Sequence, residues 1–199
     1  MGEGESGRGG ERGAGGDPVN VTGAIAQGPA ARQGSAGFVS LVDEELEKMA
    51  AELAKAFRSG LGEIRVIIGA VRAEQAGEPW REGGWTRKQI LGHMLDSATN
   101  NRHRFVWAAI DGHYKGPQYD QQPWVNAHGY AEQEWETLLR WWDAEHEILA
   151  AVVDRIPEER LEADCVVGDD APMTLRFLIE DYVRHQRGHA EQLKGVGAR

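Results

Sequence analysis

The sequence predicts an all-α protein: a four-helix bundle with long inter-helix connections, preceded by a disordered Gly-rich N-terminal tail. Three observations carry this. Four segments repeat apolar residues at the 3.6-residue helical period, cap signals stand at several of their ends, and no stretch alternates convincingly as a strand. A chain of 199 residues, 41% hydrophobic and 27% charged, has the length and composition of one domain with a proper core.

Twelve of the 26 glycines precede Phe38, in a segment without aromatic residues. Such a stretch buries too little apolar surface to offset its ordering entropy, so residues 1–37 are expected to be a disordered tail and residues 38–199 the folded domain. Three motif matches in the tail carry no chemistry in their context. Gly2-Glu-Gly4-Glu-Ser-Gly7 fits GxGxxG without a preceding strand; Met1-Gly2 with Ser6 and Asn20-Val-Thr22 fit minimal acylation and glycosylation patterns without an accompanying signal.

From Phe38, the positions Phe38, Leu41, Val42, Leu46, Met49, Leu53 and Phe57 form an amphipathic stripe that Ile64, Ile67, Ile68 and Val71 continue. Gly60 and Gly62 interrupt it, which leaves one kinked helix and two separate helices as equal readings. A second helix is expected from Thr86 to about Ile110. Thr86-Arg-Lys-Gln89 has capping-box spacing, Trp85 can staple onto Ile90, and Asp111-Gly112 supplies the stop. The next 20 residues lack periodicity and hold Tyr119, Asp120 and Trp124, as expected of a loop that covers one end of a bundle.

A third helix is expected from about Ala131 to Ile156, with Trp135, Leu138, Leu139, Trp142, Leu149, Val152 and Val153 on its apolar side. His146 falls on that side, as a histidine bonded to a neighbour or as a further ligand. Trp141 lies roughly opposite and hints at a dimer surface. A polar connection with Cys165, read as a part-buried structural residue, leads to Thr174, the expected N-cap of a last helix running to Leu193.

That last helix carries His185 and His189. Residues four apart are offset by about 40° and rise roughly 6 Å, so both imidazoles can reach one ion. Spacing alone also fits solvent-facing imidazoles, the commoner fate of such a pair. A third ligand, His93, is available on the second helix amid Asp96, Ser97, Asn100 and Asn101, polar residues at odds with simple packing. Three neutral imidazoles leave coordination positions open, as catalytic sites do.

The net charge of −10 argues against a nucleic-acid partner, and no apolar run approaches the ~20 residues of a membrane span. One cysteine excludes an internal disulfide, and the opening Met-Gly-Glu-Gly-Glu-Ser does not read as a secretory signal, so a cytoplasmic location is expected.

Gly84-Trp85-Thr86, Ile90-Leu-Gly-His93-Met-Leu-Asp96-Ser97 with Asn100-Asn101, Tyr119-Asp120-Gln121 with Trp124, and Asp181-Tyr182-Val183-Arg-His185-Gln-Arg-Gly-His189 resemble the DinB-like (DinB/YfiT-like) superfamily over about Ala54 to Gly195. The resemblance implies a four-helix bundle with one divalent transition metal on His93, His185 and His189. Zinc or nickel is expected first, with iron or manganese as further options. It also implies an enzyme acting on a small molecule, either a thiol-dependent S-transferase using a low-molecular-weight thiol or a hydrolase. The alternative is a non-catalytic small-molecule-binding or dimerising bundle with a structural or vestigial metal site. For an enzyme, Asp181 would accept a hydrogen bond from His185 or else be a solvated or capping carboxylate. Asp96 would orient a group or act as a base, and Tyr119, Asp120 and Trp124 would line the pocket mouth.

Overall fold

The computed structural model describes residues 36–195. The expectation of a disordered tail lies outside these residues, except that Ala36 and Gly37 belong to the first helix. Four long helices build the bundle: α1 (Ala36–Gly69), α2 (Arg87–Asp111), α4 (Trp135–Val153) and α5 (Leu175–Leu193). α2 borders α4 and α5, and α1 borders the same two. Consecutive α1 and α2 thus face each other across the bundle, which a long connection between them permits.

α1 is continuous, which decides between the two readings of its glycines. Leu53, Phe57, Leu61, Ile64 and Ile68 form its buried stripe, and Gly60 sits where α5 comes closest. A Cβ there would lie 2.5 Å from Val183 Cγ1, so Gly60 lets two helices approach and does not break one. α2 begins as its sequence indicates. Thr86 accepts from the Gln89 N–H at 3.2 Å, and its own N–H donates to Gln89 Oε1 at 2.9 Å. Gly112, at φ 75°, closes it.

Two connections depart from expectation. The segment after α2 is not an unstructured loop. It holds β1 (His113–Gly116), α3 (Gln121–His128) and a 3-10 turn at Tyr130–Glu132, so the third long helix starts at Trp135, four residues later than its periodicity suggests. The connection before α5 also contains strands. β2 (Asp164–Val167) pairs in parallel with β1, placing Tyr114 against Cys165, and antiparallel with β3 (Met173–Thr174), placing Cys165 against Met173. The all-α reading holds for the bundle and misses this three-stranded sheet. Strands of four and two residues are too short for a period of two to emerge from the sequence.

α2 and α5 run antiparallel in a register pinned by polar contacts. The Arg87 guanidinium donates to the Leu193 carbonyl at 3.0 Å, and Gln186 donates to the Met94 carbonyl at 2.9 Å. Both contacts are buried, where a hydrogen bond lost on one side leaves its partner unpaired. They hold His93 level with His185 and His189.

Candidate metal centre

His93 is fully buried on α2, between Leu91 and Leu95 of the core, while His185 and His189 are half-buried on α5. One ring nitrogen from each lies within 4.8 Å of the other two. His185 and His189 approach Nε2 to Nε2 at 3.1 Å, and the His93 ring meets those of His189 and His185 edge-on at 4.6 and 5.3 Å between centroids. The structure brings together the three residues singled out in the sequence.

The other ring nitrogens show how the cluster is aimed. His189 Nδ1 is 3.1 Å from Gln192 Oε1, a pure acceptor, so Nδ1 carries the proton and Nε2 the lone pair. His185 Nδ1 lies 3.4 Å from Ser97 Oγ and His93 Nδ1 3.5 Å from the Tyr119 hydroxyl. Each imidazole therefore has an outer partner at Nδ1 and presents Nε2 inward. Histidine metal ligands are oriented in this way.

Electrostatics favour the same state. Burial first, then the neighbouring histidines, push His93 down to about 3. Burial and His189 push His185 down to about 4 against the opposing pull of Asp181, and burial lowers His189. At neutral pH all three are uncharged, as metal ligands must be.

These residues fit a divalent metal. His93 Nε2 is a buried polar atom with no hydrogen-bond partner, a costly state that coordination relieves. Donors ~2 Å from a common ion at tetrahedral angles stand a little over 3 Å apart, in keeping with the 3.1 Å between the α5 nitrogens.

The remaining candidate residues have varied placements. Tyr119 lies at the cluster, and its ring packs on Trp124 at 4.9 Å. Trp85, in the loop before α2, packs on His93 at 5.3 Å. Asp120 is exposed and caps α3 by accepting from the Gln122 N–H at 3.3 Å. Asp181 is half-exposed and pairs with Arg184; its charge is felt by His185, but the hydrogen-bonding position at His185 belongs to Ser97.

Asp96 is buried and bonded to other groups. It accepts from the Tyr130 hydroxyl at 2.6 Å and meets His128 Nδ1 at 3.2 Å. Burial raises its pKa, with the Tyr130 bond and His128 opposing. His146 lies outside the cluster: its Nδ1 donates to the Trp142 carbonyl at 2.8 Å, and its Nε2 is 2.6 Å from the Tyr182 hydroxyl. Cys165 is fully buried, and burial pushes its thiol up to about 11, which fits a structural residue.

Beside the cluster is a cleft of about 210 Å³ to which Ser97, Arg104, Tyr119, Asp181 and His185 contribute. Burial, then the charge of Asp96, raises the Tyr119 phenol, with Arg104 acting the other way, so Tyr119 is a hydrogen-bond donor at neutral pH. Ser97 and Gln192, which meet the outer nitrogens of His185 and His189, were not among the site residues expected from the sequence. Ser97 stood among the out-of-place polar residues of α2, whereas Gln192, three residues after His189, gives a signal only once His189 is taken as a ligand.

Fold and site together define a helical-bundle protein with a three-histidine cluster of metal-binding type. The chain belongs to the DinB superfamily, whose model matches residues 56–193. Among sequence relatives, the "Putative metal-dependent hydrolase" of Geobacillus thermodenitrificans is 23% identical over 137 residues, covering 68% of this chain and 77% of the relative. A protein of the same designation from Bacillus licheniformis is 26% identical over 153 residues, covering 76% and 85%. Two solved structures share the fold. YfiT from Bacillus subtilis, described as "a probable metal-dependent hydrolase with an unusual four-helix bundle topology", superposes with a TM-score of 0.65 at 18% identity, over 74% of this chain and 85% of YfiT. A mycothiol-dependent maleylpyruvate isomerase does so with a TM-score of 0.62 at 16% identity, over 74% of this chain and 61% of the isomerase.

Proposed function

We propose that the protein is a metal-dependent hydrolase of a small molecule, with the ion held by His93, His185 and His189. The observation that carries this reading is the inward convergence of three uncharged imidazoles, each with an outer partner at Nδ1, next to a cleft that His185 lines. Three protein ligands leave open positions, and the designation of the sequence relatives points to hydrolysis. Held by His93, His185 and His189, a divalent ion would supply Lewis acidity and would lower the pKa of a water toward ~7.

The protein's own groups do the rest. Tyr119, protonated and within reach of both cluster and cleft, donates a hydrogen bond to an oxygen that gains negative charge as the scissile bond breaks. Trp85 packs on the ring of His93, which is fully shielded from bulk water. Ser97 and Gln192 hold the two α5 imidazoles in their rotamers. Thiol-dependent transfer is the second reading. It draws on likeness to the isomerase, which extends to the fold, and no residue of the cleft favours a thiol.

Metal content of the purified chain, measured by inductively coupled plasma mass spectrometry beside His93→Ala and His189→Ala, tests the proposal. About one equivalent of a transition metal per chain, lost in both variants together with ester or amide hydrolysis across a substrate panel, is the expected result. A folded natural chain that neither contains nor takes up Zn or Ni would overturn it. Turnover that requires an added low-molecular-weight thiol would transfer the assignment to the second reading.

A further inference from the structure

The cleft contains a positive charge that the metal reading does not use. Arg104, on α2, is only 7% exposed, yet among the described residues no carboxylate pairs with it. Its one hydrogen bond is from Nη1 to Asn101 Oδ1 at 3.3 Å, which leaves most of its five N–H donors without a protein acceptor. Two other guanidiniums of α2, those of buried Arg87 and half-buried Arg102, are better satisfied. Arg87 donates to the carbonyls of Leu193, Gln75 and Glu78, and Arg102 donates to Glu145 at 2.6 Å. A buried cation without a counterion is costly, and sites that recognise an anionic ligand keep such a group in reserve.

The position of Arg104 suits that use. Counting along α2, it is two turns beyond Ser97, the residue that meets His185, and both line the cleft together with His185 and with Tyr119, whose hydroxyl meets His93. We infer that Arg104 is a specificity-determining residue that receives a carboxylate of the substrate, so that the reacting group points to the histidine cluster. The substrate is thus a small carboxylic acid derivative.

Volume and charge narrow the class. A cleft of about 210 Å³ is below the ~300–1,000 Å³ of pockets for drug-sized ligands. A planar guanidinium matches the two oxygens of a carboxylate with parallel hydrogen bonds. Asp170 and Asp181 also line the cleft, where they repel the two charges that a phosphate dianion concentrates on one group more than the single charge of a carboxylate group. Asp181 pairs with Arg184, and among the described residues neither it nor Asp170 forms an ion pair with Arg104. Val167, Met173 and Leu178 provide apolar wall for a short hydrocarbon portion.

The inference rests on the metal reading only for the orientation of the substrate, and its test runs without metal. Succinate, its neutral isostere succinamide and inorganic phosphate are titrated calorimetrically into the chelator-treated full chain, and into Arg104→Met and Arg104→Lys. Succinate should bind the natural chain in preference to both other probes. Binding should weaken at least tenfold in Arg104→Met, the loss expected for charge-assisted hydrogen bonds. Arg104→Lys, which keeps the charge but not the fork, should fall between, and serves with the succinamide comparison if Arg104→Met does not fold. Equal succinate affinity in a folded Arg104→Met, no succinate binding by the natural chain, or tighter binding of phosphate would each overturn the inference. Metal uptake is measured on the same samples. A natural chain that binds succinate through Arg104 but takes up no metal keeps this assignment and loses the metal reading, whereas intact metal uptake with succinate binding indifferent to Arg104 does the reverse.

Discussion

At the scale of single residues, the cluster depends on what stands behind each imidazole. Gln192→Leu and Ser97→Ala remove the outer partners of His189 and His185, and each should weaken metal affinity by ~10–100-fold in a competition titration with a chromogenic chelator. Asp181→Asn should leave affinity within a few-fold, because Asp181 acts on His185 only through its charge. The three clustered histidines were legible in the sequence because the helical spacing and the DinB-like pattern select the same positions. The outer partners were not, because which polar residue of α2 meets His185 depends on inter-helix register. Titration gives a further test at His146, which burial pushes down to about 4. Between its unfolded value near ~6.5 and about 4, the unfolded chain binds a proton that the folded chain refuses, so stability is full above that range and falls as pH is lowered through it. At ~1.4 kcal/mol per pH unit, this one group costs roughly 3 kcal/mol by pH 4. His93 and His185 add to the loss in metal-free protein. Urea midpoints measured from pH 7 to pH 4 should fall steeply, and less so in His146→Gln; parallel curves would show that His146 titrates normally in the folded state.

At the scale of elements, α2 is the part that sequence and structure describe in the same terms. Its capping box and Gly112 stop are local signals, fixed by residues within one turn of each end. Thr86→Ala should cost about 1 kcal/mol in chemical denaturation, with Gln89→Ala overlapping it, since both dismantle one reciprocal pair. Gly92 carries a less visible constraint. The Tyr130 ring packs against it so closely that a Cβ would collide, and Tyr130 in turn donates to Asp96 one turn along. Gly92→Ala should therefore destabilise by ~1–3 kcal/mol despite the better helix propensity of alanine, and should perturb the metal site through its neighbour His93. A variant more stable than the natural chain would mean that Tyr130 moves aside freely. Neither this contact nor the β1–β2 pairing announces itself in the sequence. Each joins residues dozens of positions apart, and the parallel pairing links segments on opposite sides of α4.

At the scale of the whole molecule, an ion on the cluster would cross-link two helices that also meet through the buried contacts of Arg87 and Gln186. His93 comes from α2 and the other two histidines from α5, so an ion bound by all three would join segments about ninety residues apart in the chain. A ligand that binds only the folded state stabilises it by RT ln(1 + [L]/Kd), about 2.7 kcal/mol at a hundredfold excess over Kd. In a domain of this size each kcal/mol moves the midpoint by ~2–4 °C, so a saturating chelator should lower the thermal midpoint of metal-loaded protein by roughly 5–11 °C. The shift should reverse when the ion is restored, and it should be absent in His189→Ala. The packing of α1 against α4 and α5 does not involve the cluster, so the metal-free chain should still unfold cooperatively, at a lower temperature. The overall bundle follows from apolar periodicity that needs no ion, and the Arg87 and Gln186 contacts already set the register of α2 on α5; an ion on all three histidines would tighten it further. Backbone hydrogen exchange would separate the two contributions. Chelation should speed exchange along α2 from Gly92 to Asn101 and along α5 from Tyr182 to Leu193, and leave the buried face of α1 from Phe57 to Ile68 as protected as before.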